Sequence, residues 1–235
     1  MKTLLYSILI LGSTILIVAC TSSKPTTTEV IVLRDITENH LAKPQPDAIL
    51  WLYDFSESKW NGASFRFVDL SDVSYNRTSE TKIESVNQWM SNELEREKQI
   101  KRFKSDVVEI LDSTDKETIG KNFSSVYLPM ARELNRLSQS KSQKRIFLVF
   151  SDLMENSLGF SFYDKKVLQL LQSNPDSLRK RFDKMLPLQS LTGVEVHFIF
   201  EPENVIQDAE FKIVSEFYRK FFEDKGAIVT ISANL

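Results

Sequence analysis

Residues 29–40 read "EVIVLRDITENH" and residues 48–58 read "AILWLYDFSES". Each carries an apolar run into an aspartate followed by small polar side chains, but only one can be the first strand of a sheet with its exit loop. Val30, Ile31, Val32 and Leu33 form a short, β-branched run of the kind that strands favour. The second stretch has too little chain after it. A parallel crossover takes about a dozen residues or more and usually a helix, whereas only Ser56 to Ala63 would separate that stretch from the next strand candidate at Ser64. If Asp35 ends the first strand, residues 36–63 supply the crossover, with Pro44 and Pro46 ahead of a helix and Asn61-Gly62 at its exit. "AILWLY" (48–53) then becomes the buried face of that helix.

Outward from this choice, β-branched or aromatic runs alternate with longer amphipathic segments. Strands are expected at 29–34, 64–70, 144–150, 194–200 and 227–231. Helices are expected at 47–59, 82–111, 124–139, 165–186 with a break at Asn174-Pro175, and 204–224. The alternation predicts an α/β domain over 29–235 with an open, mainly parallel, doubly wound sheet flanked by helices. Segment 82–111 mixes acids and bases and reads as a solvated, ion-paired helix. Phe211, Val214, Phe217, Tyr218 and Phe221 recur at helical spacing, which predicts a core stripe rather than a cofactor site.

The first 19 residues differ in kind. Met1-Lys2 gives a positive end, and "LLYSILILGSTILIVA" is apolar almost throughout before Cys20, the only cysteine in the chain. An uncleaved anchor is the alternative, since a bilayer span takes about 17 to 25 residues. One cysteine cannot close an internal disulfide. The sequence Ile17-Val18-Ala19-Cys20 resembles the lipobox of bacterial lipoproteins. The resemblance implies cleavage after Ala19 and acylation of Cys20, so that 1–19 is a signal peptide and 20–28 a lipidated tether rich in Ser and Thr. With several acyl chains, each buried CH2 contributing about 0.8 kcal/mol, such an anchor is stable. Thr21 carries no acid that would favour inner-membrane retention, so the expected location is the outer membrane of a bacterial envelope.

With 30 basic and 32 acidic residues the net charge is -2. There is no basic field for nucleic acid and no acidic tail. Composition therefore selects no partner, and the chemistry has to come from positions in the fold.

In an open parallel sheet ligands bind beyond the carboxyl ends of the strands. The polar residues there are Asp35, Thr37 and Asn39 after the first strand, and Ser151, Asp152, Glu155, Asn156 and Ser157 after strand 144–150; Ser124 and Ser125 precede a helix. Each has an ordinary use as a turn former or helix cap. Together, and over about residues 29–235, they resemble a von Willebrand factor type A domain. That family has an Asp-x-Ser-x-Ser motif after its first strand, a threonine in a later loop and an aspartate after its fourth strand. By this resemblance Asp35, Thr37, Asn39, Ser124 and Asp152 hold Mg2+ or another divalent cation. The chain departs from the pattern at Asn39, at Ser124 and at Leu153, where the family has glycine. Oxygen ligands survive the first two changes, while Leu153 bears on loop geometry, because leucine takes a positive φ only at a cost. "DFSES" (54–58) fits the family motif literally and is set aside on topology alone.

The resemblance implies a binding protein rather than an enzyme: a lipid-anchored domain that meets a protein partner through a divalent ion. A metal-free scaffold of an envelope or mobile-element complex is the alternative. A metal-dependent phosphohydrolase using Asp35 is a third reading, opposed by the absence of a glycine-rich phosphate loop and of a Ser-His-Asp set. His40 and His197 are the only histidines. His197, inside "VEVHFIF", reads as a packed strand residue, and "DLSDVS" (69–74) as a turn opening a hairpin.

Overall fold

The computed structural model describes residues 24–36, 43–70, 77–113, 125–157 and 160–235. The expected α/β architecture is observed. A six-stranded sheet comprises β1 (Thr27–Asp35), β2 (Gly62–Leu70), β3 (Arg77–Ile83), β4 (Lys144–Phe150), β7 (Val194–Ile199) and β8 (Ile228–Ser232); β5 (Asn156–Ser157) and β6 (Phe160–Ser161) form a separate small ribbon. The sheet order is β3-β2-β1-β4-β7-β8. All neighbours pair in parallel except β2 with β3.

Among the described residues six α-helices flank the sheet: α1 (Pro46–Trp51), α2 (Glu93–Ser113), α3 (Tyr127–Ser138), α4 (Lys165–Ser173), α5 (Pro175–Met185) and α6 (Val205–Glu223). Alternation along the strands divides the core. Ile31, Leu33, Phe147, Val149, Val196 and Phe198 pack with α3 to α6. Val30, Val32, Phe65, Phe67, Ile146 and Leu148 face α1 and α2. The predicted α6 stripe is a core stripe, with Phe211, Val214, Phe217, Tyr218 and Phe221 all buried.

Central strands β1 and β4 are buried on both faces, which is why their sequences are continuously apolar rather than alternating. β1 already begins at Thr27, so the last two tether residues belong to the sheet. Gly62 opens β2 where space demands it: a Cβ there would lie 2.7 Å from both Ser85 N and Thr27 Oγ1.

Two helical expectations are corrected. The first helix is not 47–59 but the single short α1, and Trp51 is 82% exposed rather than part of a buried face. Beyond Leu52 the chain folds into turns, with Glu57 N and Ser58 N donating to Asp54 O and the Tyr53 hydroxyl donating to Ser64 O at 3.0 Å. Residues 82 and 83 are not helical either. They complete β3, with Ile83 opposite Ala63 and Lys82 opposite Ser64, and sheet pairing overrides local helix propensity. Helix α2 starts only at Glu93, where Asn92 Oδ1 accepts from Glu95 N. Its acids Glu93 and Glu97 pair with Lys59 outside the helix, while Phe103, Val107, Leu111 and also Arg96 are buried.

Candidate functional site

Neighbouring strands β1 and β4 lead into crossovers on opposite faces of the sheet: β1 to β2 by way of α1, and β4 to β7 by way of α4 and α5. Their carboxyl ends therefore open a crevice at the switch point. Asp35, the last residue of β1, is 3% exposed there. The hydroxyl of Ser151, one residue beyond β4, donates to Asp35 Oδ2 at 3.1 Å. Ser151 Oγ also accepts from Leu153 N at 2.9 Å. Asp152 Oδ1 accepts from Met154 N at 2.9 Å, and the Tyr163 hydroxyl reaches Asp152 Oδ2 at 3.4 Å. The turn is thus knitted by its own side chains.

Leu153 sits in this turn with φ at +64°, the left-handed region, and is the non-glycine residue with positive φ among those described. A branched residue there costs roughly 1–2 kcal/mol in backbone strain. Its side chain is fully buried in the α3 to α6 core. Burial of the isobutyl group offsets what the backbone loses.

Glu155 follows, buried, with an unusual task. Its Oε2 accepts from Val126 N at 2.8 Å and Tyr127 N at 2.9 Å, the first donors of α3. A glutamate 28 residues away in sequence from Tyr127 thereby does what an N-cap side chain normally does, and complements the helix dipole. Ser125, a candidate cap by sequence, does not cap the helix; its hydroxyl faces the Glu155 carboxyl without meeting full hydrogen-bond geometry, and the buried Tyr218 OH has no hydrogen-bond partner among the described residues. Burial pushes the Glu155 carboxyl above its ordinary range, and the two backbone donors together with the hydroxyls of Ser125 and Ser157 pull it back only in part.

On the other face of the sheet the rim carries Arg34 and Asp69. Arg34 Nη2 lies 2.9 Å and Nε 3.1 Å from Asp69 Oδ1, with the guanidinium 5.4 Å from the centre of the Phe67 ring. Asp69 is therefore a strand residue in a buried ion pair and not a hairpin turn residue. Exposed apolar groups stand at the same end of the sheet. Val205 is 84% and Ile206 70% exposed at the start of α6, just beyond β7, and Tyr163 is 51% exposed.

Of the residues expected to hold a cation, Asp35 and Asp152 lie at the β1/β4 rim. Thr37, Asn39 and Ser124 fall outside the described residues, as does Cys20. Ser151, absent from that set, is the residue the structure brings against Asp35; its position directly after β4 was the available signal. The literal motif at Asp54, Ser56 and Ser58 lies at the opposite end of the sheet. Asp54 Oδ1 is 3.6 Å from Lys144 Nζ at the start of β4, and Asn61, beside the first residue of β2, donates to Asp54 O. His197 is a half-buried strand residue whose imidazole is pushed below its ordinary value by burial, with Glu195 opposing.

Among the described residues no group of three or more His, Cys, Asp or Glu side chains could by itself hold a metal ion, and no helix is long and apolar enough to cross a membrane. No protein-family model and no curated protein matches the chain.

Proposed function

We propose that this chain is a lipid-anchored protein of the bacterial envelope, with a von Willebrand factor type A-like domain whose rim binds a protein partner through a divalent cation. The observation that carries the reading is the juxtaposition of Asp35 and Ser151 at the switch point, with Asp152 next in the chain. Asp35, Ser151 and Asp152 offer oxygen donors of the type that Mg2+ takes. Hydroxyl and amide oxygens of Thr37, Asn39 and Ser124 would complete the set, because among the described residues carboxylates alone are too few. The cation would supply a positive site for an acidic group of the partner, and Tyr163, Val205 and Ile206 an apolar border. The chain has no assigned catalytic step, and no turnover of phosphomonoesters is expected.

A metal-free scaffold is the second reading. Favouring it are the hydrogen bonds that already engage Asp152 with Met154 N and Tyr163, and the leucine in place of glycine at position 153. Isothermal titration separates the two. Binding heat with Mg2+ or Mn2+ that Asp35→Ala abolishes is the expected result. If neither ion gives heat with the folded native protein, the cation has no part, and only the scaffold reading stands.

A further inference from the structure

The chain enters the sheet at Thr27, and the end of the sheet at which it enters has its own chemistry. Trp51, at the end of α1, is 82% exposed; Trp89, in the short 3-10 turn Gln88–Met90, is 81% exposed; Leu94, in the first turn of α2, is 63% exposed. All belong to segments that border the amino ends of β1, β2 and β4. The Leu52 carbonyl beside Trp51 accepts from Lys144 Nζ at 3.3 Å at the start of β4, and Val86 N donates to Trp60 O just before β2. Trp60, the remaining tryptophan of the three in the chain, lines with Trp89, Phe55 and Pro25 a groove of about 670 Å³ at this end.

The geometry points to this end of the domain as a seat on the lipid surface, with Trp51, Trp89 and Leu94 entering the headgroup region. The inference rests on the proposed acylation of Cys20. Residues 21–27 span at most about 25 Å at 3.3–3.6 Å each, so the amino end of the sheet cannot stand farther than that from the acylated residue. Strand β1 then carries the chain roughly 30 Å away to the Asp35 rim, at about 3.3 Å per residue. The tether therefore holds the tryptophan end near the bilayer and turns the rim away from it. Exposed indoles are costly in water and favourable at a membrane interface, where an apolar body and a polar N–H are both accommodated. Charge adds little, because Lys59 faces Glu93 and Glu97, and Lys144 faces Asp54. The seat should be indifferent to anionic lipid.

Because all three tryptophans lie at this end, their fluorescence reports it directly. The full chain is expressed with its leader, purified as the processed protein and reconstituted into phosphatidylcholine vesicles whose acyl chains are brominated near the headgroup. Flotation reads the anchor, and quenching reads the seat. The expected result is flotation that a chain starting at Thr21, without the leader and Cys20, loses or shows only weakly, together with loss of tryptophan emission. Most of that loss should disappear in Trp51→Phe/Trp89→Phe, and none of it in Val205→Ser/Ile206→Ser at the opposite end. Phosphatidylglycerol should leave the quenching unchanged. A chain that floats with unquenched tryptophans overturns the seat while leaving the anchor intact. A processed chain that does not float overturns both, and quenching diminished by the Val205/Ile206 changes would mean that the rim, not this end, meets the bilayer.

Discussion

Leu153 and Glu155 show how two neighbouring residues can carry opposite signs of local energy. Leu153 takes the left-handed backbone that glycine takes without strain, and keeps a fully buried side chain. Leu153→Ala removes the side chain and retains the strain, so it should lose about 2–5 kcal/mol. Leu153→Gly loses the same packing but relieves roughly 1 kcal/mol of backbone strain. It should therefore equal or exceed the alanine variant in stability, reversing the usual order in which glycine is worse by about 0.5–1 kcal/mol. Urea midpoints at unchanged slope measure this. At Glu155 the folded carboxyl is raised above its ordinary 4.5, chiefly by burial. A raised folded value means that the stability this group contributes is complete below pH 4.5 and is lost as pH rises through the folded value. Native protein should lose stability relative to Glu155→Gln across that rise, and parallel pH profiles of the two would refute the assignment.

At the scale of elements, α2 is fixed to the sheet by Arg96 as much as by its apolar face. Arg96 is 2% exposed; its Nε donates to Lys59 O at 2.7 Å, its Nη1 to Glu84 O at 2.9 Å, and its Nη2 to Asn61 O. One guanidinium thus ties the turn before β2 and the exit of β3 to one helix. A lysine ammonium cannot span that set of carbonyls. Hydrogen bonds to charged groups contribute about 1.5–3 kcal/mol each, so Arg96→Lys should cost about 2 kcal/mol or more in chemical denaturation and Arg96→Ala more still. β3 carries Arg77, Glu80 and Lys82, charges that discourage edge pairing, and Arg66 joins β2 to α3 through a two-pronged contact with Glu133 at 2.9 and 3.1 Å.

Over the whole molecule, one sheet separates two ends that differ in chemistry. The rim gathers Asp35, Ser151 and Asp152 with exposed Tyr163, Val205 and Ile206, and the amino end carries the three tryptophans. At the rim, on the opposite face of the sheet from Asp35, the buried pair Arg34 and Asp69 joins β1 to β2. Arg34→Met removes the ion pair with Asp69 from a buried site, so it should destabilise the domain, by about 3–5 kcal/mol at most, whereas Arg34→Met/Asp69→Leu should recover part of that loss. Thermal or urea unfolding of the two variants checks the sign of the difference.

Much of the frame was legible in residues alone. Val30 to Leu33 and Ile146 to Phe150 are continuous apolar runs because central parallel strands are buried on both faces, and such burial leaves a mark in composition. The length of 36–61 required Asp35, not Asp54, to leave the first strand, because a parallel crossover must travel the height of the sheet. The break at Asn174-Pro175 falls between α4 and α5 for the same local reason that proline ends helices. Pairing and long-range satisfaction were not legible. Lys82 and Ile83 became strand because β2 offered an open edge, Arg96 was buried by three carbonyls distant in sequence, and the α3 donors found Glu155 rather than Ser125. Sequence sets which residues must leave water and how far the chain must run; only the tertiary structure decides which polar groups meet, because those meetings depend on distances that local chemistry does not encode.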